Sequence, residues 1–211
     1  MLQANDLACV RGERALFARV SFALAAGQLL RIAGANGSGK TSLLRILCGL
    51  LTPTEGEVRW NDEPVSALRE EFRRKLVYVG HPNGIKDDLT PLENLDTAAT
   101  LAGLAPDRAA QRAALDAFGL KHCAALPARH LSQGQRRRVA LARLVLASAV
   151  PLWILDEPFT ALDAQALGLV AQLIAKHLAH GGMVVLTTHL EVAINAVQVV
   201  LVDLDLQARR A

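Results

Sequence analysis

Gly34-Ala35-Asn36-Gly37-Ser38-Gly39-Lys40-Thr41 has the form G-x-x-x-x-G-K-[ST]. The apolar run Leu29 to Ala33 leads into it, and the stretch from Thr41 to Leu50 leaves it with helical spacing. Strand, glycine loop and helix together are the context in which this word cradles phosphate. Gly34, Gly37 and Gly39 let the backbone curl until its N–H groups face inward, and the following helix turns its positive end to the same anions. The expected contacts are the backbone of Gly34, Ala35, Asn36, Gly37, Ser38 and Gly39, the Lys40 ammonium on the β- and γ-phosphates, a Ser42 contact, and the Thr41 hydroxyl on Mg²⁺.

Outward from the loop, Leu2 to Val10 and Leu16 to Leu24 read as strands about a turn at Arg11-Gly12-Glu13. Glu57 to Trp60, Leu76 to Val79, Leu152 to Asp156, Met183 to Thr187 and Val199 to Leu204 read as further strands. From about Pro82 to Ala147 the pattern becomes Ala- and Leu-rich helices, including Pro91 to Leu101 and Arg108 to Leu120. Buried strands alternating with helices predict an α/β sheet with a helical insertion.

The 211 residues suit one domain, and 52% hydrophobic content supplies its core. A net charge of +3 and 4% aromatic content argue against a nucleic-acid partner. Cys9, Cys48 and Cys123 form no C-x-x-C pair, which suits packing thiols in a reducing compartment. No signal peptide is expected. Arg143 and Pro151 interrupt the apolar tract from Val139 to Leu155, so any membrane role is expected to come through a partner.

Asp156 ends an apolar strand, where a carboxylate reaches a nucleotide's metal directly or through water. Glu157 beside it is the candidate to polarise an attacking water. His189 lies just past the strand Met183 to Thr187, where a polar side chain faces the ligand crevice, and is the candidate γ-phosphate sensor. Leu131-Ser132-Gln133-Gly134-Gln135 offers an N-capping serine and a glycine that allows close backbone approach to phosphate. The run Arg136-Arg137-Arg138 reads as a solvated helix face.

These words, in this order, resemble the ATP-binding cassette (ABC) family over the whole chain. The resemblance implies a P-loop NTPase fold with a RecA-like core, an N-terminal antiparallel β-subdomain and an inserted helical subdomain. It divides a single domain into a core of about 1–81 and 147–211 and an insertion of about 82–146. It makes Gly34 to Thr41 the Walker A loop, and Leu131 to Gln135 the signature, with Gln133 in place of a glycine. Leu152 to Glu157 becomes Walker B, Ala161-Leu162-Asp163 the D-loop and His189 the switch histidine. Lys40, Glu157 and His189 are the implied catalytic residues, with Thr41 and Asp156 toward Mg²⁺. Two copies pack head to tail, so that Ser132, Gly134 and Gln135 of one close on the ATP held by the other. Two positions depart from the pattern. His81 replaces the glutamine that joins Mg²⁺ and water to the insertion, and a neutral imidazole prefers softer metals. Arg11 stands where an aromatic stacks on adenine, and a guanidinium plane can stack there instead.

Gly80-His81-Pro82-Asn83-Gly84-Ile85-Lys86, with Leu89-Thr90 and Leu92-Glu93-Asn94-Leu95, is further similar to the cytochrome c maturation (haem exporter) ATPases. So is Trp153 to Ala161. That resemblance implies a peripheral protein on the cytoplasmic face of the bacterial inner membrane. Its implied partners are the membrane subunit CcmB, CcmC, CcmD and the haem chaperone CcmE. Its implied work is haem export or release of haem-loaded CcmE, with a transporter of another cargo as the alternative. Ile85, Leu89 and Leu92 either anchor the membrane partner or pack the insertion.

Overall fold

Apolar strands that run without a polar break need cover on both faces. β7 (Leu152–Asp156) and β8 (Met183–Thr187) are such strands, buried at every residue. In the computed structural model, which describes residues 1–105, 107–196 and 198–208, they form the middle of a five-stranded parallel sheet. With β3 (Gln28–Ala33), β6 (Leu76–Val79) and β9 (Gln198–Asp203) the order is β6-β7-β8-β3-β9. A second, antiparallel sheet has the order β2-β1-β4-β5, from β1 (Leu2–Arg11), β2 (Arg14–Leu24), β4 (Glu55–Trp60) and β5 (Glu63–Pro64).

Helix α1 (Lys40–Leu47) packs into the core these two sheets share, through Leu43, Leu44, Ile46 and Leu47. It stops three residues before the predicted Leu50. Gly49 takes φ +67°, its N–H bonds to Ile46 O, and the Leu50 N–H bonds to Arg45 O. That is a Schellman ending, and it needs the left-handed residue. α2 (Val65–Arg73), which the apolar pattern does not single out, buries only Val65 and Phe72 and breaks at Arg69.

The helical stretch lies between β6 and β7. It holds α3 (Pro91–Leu101), α4 (Arg108–Ala117) and α5 (Gln133–Leu146), packed with α6 (Ala164–Ala179) around a second core on the other face of the parallel sheet. α4 ends before the predicted Leu120 because Gly119 turns at φ +68°. Asn94, inside the Leu92 to Leu95 word, is buried and staples the preceding loop. Its Oδ1 accepts the Lys86 N–H at 2.8 Å, and its Nδ2 donates to Lys86, Leu89 and Thr90 carbonyls at 3.0–3.2 Å. Leu92 is buried in the same core and Ile85 packs on it, so both serve the insertion's own packing. The short α7 (Leu204–Ala208) follows β9.

Candidate active site

In an open parallel sheet the crevice past the carboxyl ends of the strands collects polar loops. Here β3 delivers the glycine loop, β6 delivers Gly80-His81, β7 delivers Asp156-Glu157 and β8 delivers Thr187 to His189. Lys40, Thr41, Ser42, His81, Asp156, Glu157 and His189 all line one cavity of about 790 Å³, with Asn36, Gly37 and Gly39 beside them.

The loop's curl depends on its glycines. Gly39 sits at φ +101°, and a Cβ there would press on Leu16 and Phe17 at 3.0 Å. The N–H groups of Gly37, Gly39, Lys40 and Thr41 meet no protein acceptor among the described residues, so they are available to an anion. The Lys40 ammonium lies back on the loop, donating to Gly34 O at 2.7 Å and Ala35 O at 3.0 Å. The Ala35 N–H instead donates to the Asp205 carboxylate at 2.9 and 3.1 Å. One peptide unit, the Gly34 carbonyl and the Ala35 N–H, is thereby held between a cation and an anion.

Asp156, 3% exposed, accepts from two hydroxyls: Thr41 Oγ1 on Oδ2 and Thr187 Oγ1 on Oδ1, each at 2.8 Å. Thr187 stands opposite Asp156 in the β7–β8 register, and its Oγ1 also accepts the Glu157 N–H at 3.0 Å. Glu157 adopts φ +49°, a left-handed conformation rarely taken by residues other than glycine. Its Oε1 is buried without a hydrogen bond and lies 3.5 Å from His189 Nε2, while its Oε2 accepts the His189 N–H at 3.3 Å. Glu157 lines the cavity, and a carboxylate with one uncommitted lobe can orient a water. Burial, and then the nearby Asp156 charge, pushes the Cys48 thiol up, so it stays a protonated packing group.

The donor set suits a small hard cation. Cis oxygens of an octahedral Mg²⁺ site at about 2.0–2.1 Å lie about 2.9 Å apart. Thr41 Oγ1 and Asp156 Oδ2, at 2.8 Å, already have that spacing. His81 lines the same cavity on an exposed loop.

Two expectations change. Arg11 is exposed at the hairpin tip, paired in register with Arg14, and does not line the cavity. The guanidinium near the loop is that of Arg14, whose Nη1 would lie 3.9 Å from a Cβ on Gly37. The strand starts at Arg14, two residues before the predicted Leu16, and this register carries Arg14 toward the loop. As expected of an N-cap, Ser132 and Gln135 face each other in a capping box, Gln135 N–H on Ser132 Oγ and Ser132 N–H on Gln135 Oε1, which uses both oxygens to start α5. Gly134 packs on the Ala161 carbonyl, which would stand 3.0 Å from a Cβ at that position, and none of the three lines this chain's own cavity. Second, the arginine run is not wholly a solvated face. Arg137 is 5% exposed and reaches under the site. Thr187, Asp205, Arg14 and Arg137 escape sequence reasoning because each acts through a neighbour remote in sequence. Only the polar ending of β8 hints at Thr187.

A family model described as "ABC transporter" matches residues 17–160. A cytochrome c biogenesis ATP-binding export protein CcmA from Aromatoleum aromaticum is 56% identical over 189 residues, 90% of this chain and 88% of the relative. Its counterpart from Nitrosospira multiformis is 52% identical over 193 residues, 92% and 93% of the two chains. Among solved structures, the dimeric ATP-binding cassette MJ0796 bound to ADP and Pi superposes with a TM-score of 0.79 at 29% identity, over 90% of this chain and 88% of that one. An ATP-binding subunit of an ABC transporter superposes with a TM-score of 0.81 at 27% identity, over 90% and 80%.

Proposed function

The chain belongs to the ABC transporter family, as an ATP-binding subunit of the CcmA kind, and on that premise we propose that it hydrolyses ATP to drive the haem-export step of cytochrome c biogenesis. The observation that carries the reading is the convergence of Lys40, Thr41, Asp156, Glu157 and His189 on one cavity. The free loop amides and Lys40 hold the triphosphate and neutralise the charge that builds up on it during in-line attack. To reach it, Lys40 exchanges the Gly34 and Ala35 carbonyls for phosphate oxygens. Thr41 and Asp156 hold Mg²⁺, which neutralises charge between the β- and γ-phosphates when bound. The free lobe of Glu157 orients the attacking water, and His189, in contact with that carboxylate, meets the γ-phosphate.

A cassette of this kind works as a pair. The partner copy supplies Ser132 and Gly134 to the nucleotide, which suits their distance from this chain's own cavity. Among the described residues no helix is long and apolar enough to cross a membrane. By the likeness to CcmA, the proposed station is peripheral, on the cytoplasmic face of the inner membrane, against CcmB and in a complex with CcmC, CcmD and CcmE. The driven step is haem movement or release of haem-loaded CcmE.

The test is deletion of the gene in its host, followed by staining of membranes for covalently bound haem. Loss of c-type cytochromes, restored by the wild-type gene and not by a Glu157→Gln copy, is the expected result. Normal c-type cytochromes in the deletion strain would overturn the haem assignment and leave a cassette for another cargo.

His81 gives a narrower prediction. An imidazole at the cavity wall can hydrogen-bond the water as the usual amide does but adds little to Mg²⁺ binding. His81→Gln is therefore expected to keep ATPase turnover within about threefold, a difference under about 1 kcal/mol. A loss beyond about tenfold, with ATP affinity unchanged, would make His81 a required group.

A further inference from the structure

Arg137 is the most heavily bonded side chain near the site, and no step of the hydrolysis uses it. It lies in the second turn of α5, and burial pulls its pKa down, against the opposing pull of Asp156 and Glu157. Its guanidinium is a four-way fork. Nη1 donates to Gly80 O and to Asn83 Oδ1, each at 3.0 Å. Nη2 donates to Asp156 O at 2.8 Å and to Glu157 O at 2.7 Å. One rigid plane thus joins the loop that carries His81 to the backbone that carries Glu157.

The Glu157 end of the fork is where backbone strain sits. A glutamate at φ +49° persists only when its surroundings over-determine it. Three groups do so: Thr187 Oγ1 accepts its N–H, while Arg137 Nη2 at 2.7 Å and the Thr160 N–H at 3.2 Å hold its carbonyl. With both peptide bonds held, the direction of the Glu157 side chain depends on Arg137, which makes the shorter of the two bonds to its carbonyl. That position follows in turn from Gly80 and Asn83, since the other two acceptors belong to β7 and its end. Asn83 is half-buried, on a loop whose neighbours Pro82 and Gly84 are exposed, as is His81. The Asn83 arm of the fork therefore reaches the more exposed segment, while Gly80 is buried. Lysine cannot replace Arg137, because a single ammonium lacks the planar spread to meet both pairs of acceptors.

We infer that Arg137 is a positioning residue for hydrolysis, holding Glu157 in its strained, water-orienting pose and making that pose depend on the Gly80–Asn83 loop. The inference rests on the assignment of Glu157 as the group that orients water.

The test is steady-state ATP hydrolysis by the full chain, with kcat and KM determined separately, beside Glu157→Gln as control. Arg137→Lys is expected to lower kcat by about tenfold to a hundredfold, the scale of a small misplacement of a catalytic group. KM for ATP should stay within about twofold, because the phosphate loop is untouched. Since Arg137 is buried, Asn83→Ala provides a milder variant that removes one acceptor on the loop side. It should lower kcat severalfold, and it should add little on top of Arg137→Lys, because both act through one fork. An unchanged kcat in Arg137→Lys would overturn the inference, as would a KM that rises in step with the loss of kcat, or losses that multiply fully in the double variant. If Glu157→Gln itself keeps normal turnover, the assignment beneath the inference fails, and that result is distinct from all the others.

Discussion

Glu157→Gln retains ATP and loses turnover by about 10²–10⁴-fold, the range for removing a positioned general base. The substitution is nearly isosteric, so the peptide at φ +49° keeps its restraints from Thr187, Arg137 and Thr160. The amide oxygen can take over the acceptor role toward the His189 N–H that Oε2 plays now. What disappears is the negative charge of a carboxylate whose Oε1 has no hydrogen-bond donor among the described residues. Asp156 and Thr41 remain, so metal and triphosphate binding persist, and the loss of one negative charge beside the γ-phosphate favours binding. With hydrolysis blocked, two copies closed on ATP stay closed. Light scattering with Mg²⁺ and ATP should therefore show a dimer in the variant under conditions where the wild-type chain returns to monomer. A fluorescent ATP analogue should give a Kd equal to or below the wild-type value. Unaltered kcat would remove Glu157 from its role.

Whether a feature of this protein is legible in its sequence depends on how local that feature is. The phosphate loop is local: its glycines, lysine and threonine lie within eight residues, so its form is fully legible. The parallel strands are legible for a related reason, since β7 and β8 are apolar almost throughout and buried at every residue. Helix ends are legible only to within a turn: Gly49 and Gly119 mark them in the sequence, yet α1 and α4 stop at Leu47 and Ala117, short of the Leu50 and Leu120 that apolar spacing suggests. Residues whose role depends on strand order are not legible at all. Thr187 matters because β8 lies beside β7 in the register that faces it to Asp156. Asp205 matters because β9 pairs with β3 and returns the chain to the glycine loop. By spacing alone Arg137 is one of three solvated arginines, and only the approach of α5 to the ends of β6 and β7 buries it. The hairpin register decides likewise between Arg11 and Arg14, a choice that composition does not contain.

Lys40→Ala removes nucleotide binding while leaving the fold intact. Among the described residues the ammonium bonds only to Gly34 O and Ala35 O. Ala35 O keeps its other donor, the Ser38 N–H at 3.2 Å, and the Ala35 N–H keeps Asp205. Gly34 O is left to water at the cavity wall, so the stability cost is about 1 kcal/mol or less. Bound nucleotide is a different case. Hydrogen bonds to charged groups contribute about 1.5–3 kcal/mol, which corresponds to about 10–150-fold in Kd. Thermal unfolding separates the two effects. At a concentration of Mg²⁺ and ATP about one hundred times the wild-type Kd, binding stabilises the wild-type chain by about 2.7 kcal/mol. For a chain of this size that raises the melting temperature by about 5–10 °C. A variant with about hundredfold weaker binding gains only about 0.4 kcal/mol, a rise of about 1–2 °C. The expected pattern is thus two nearly coincident melting curves without nucleotide and two well-separated ones with it. Equal shifts in both proteins would mean that Lys40 does not contact the phosphates, and the reading of the glycine loop as the triphosphate site would fall with it.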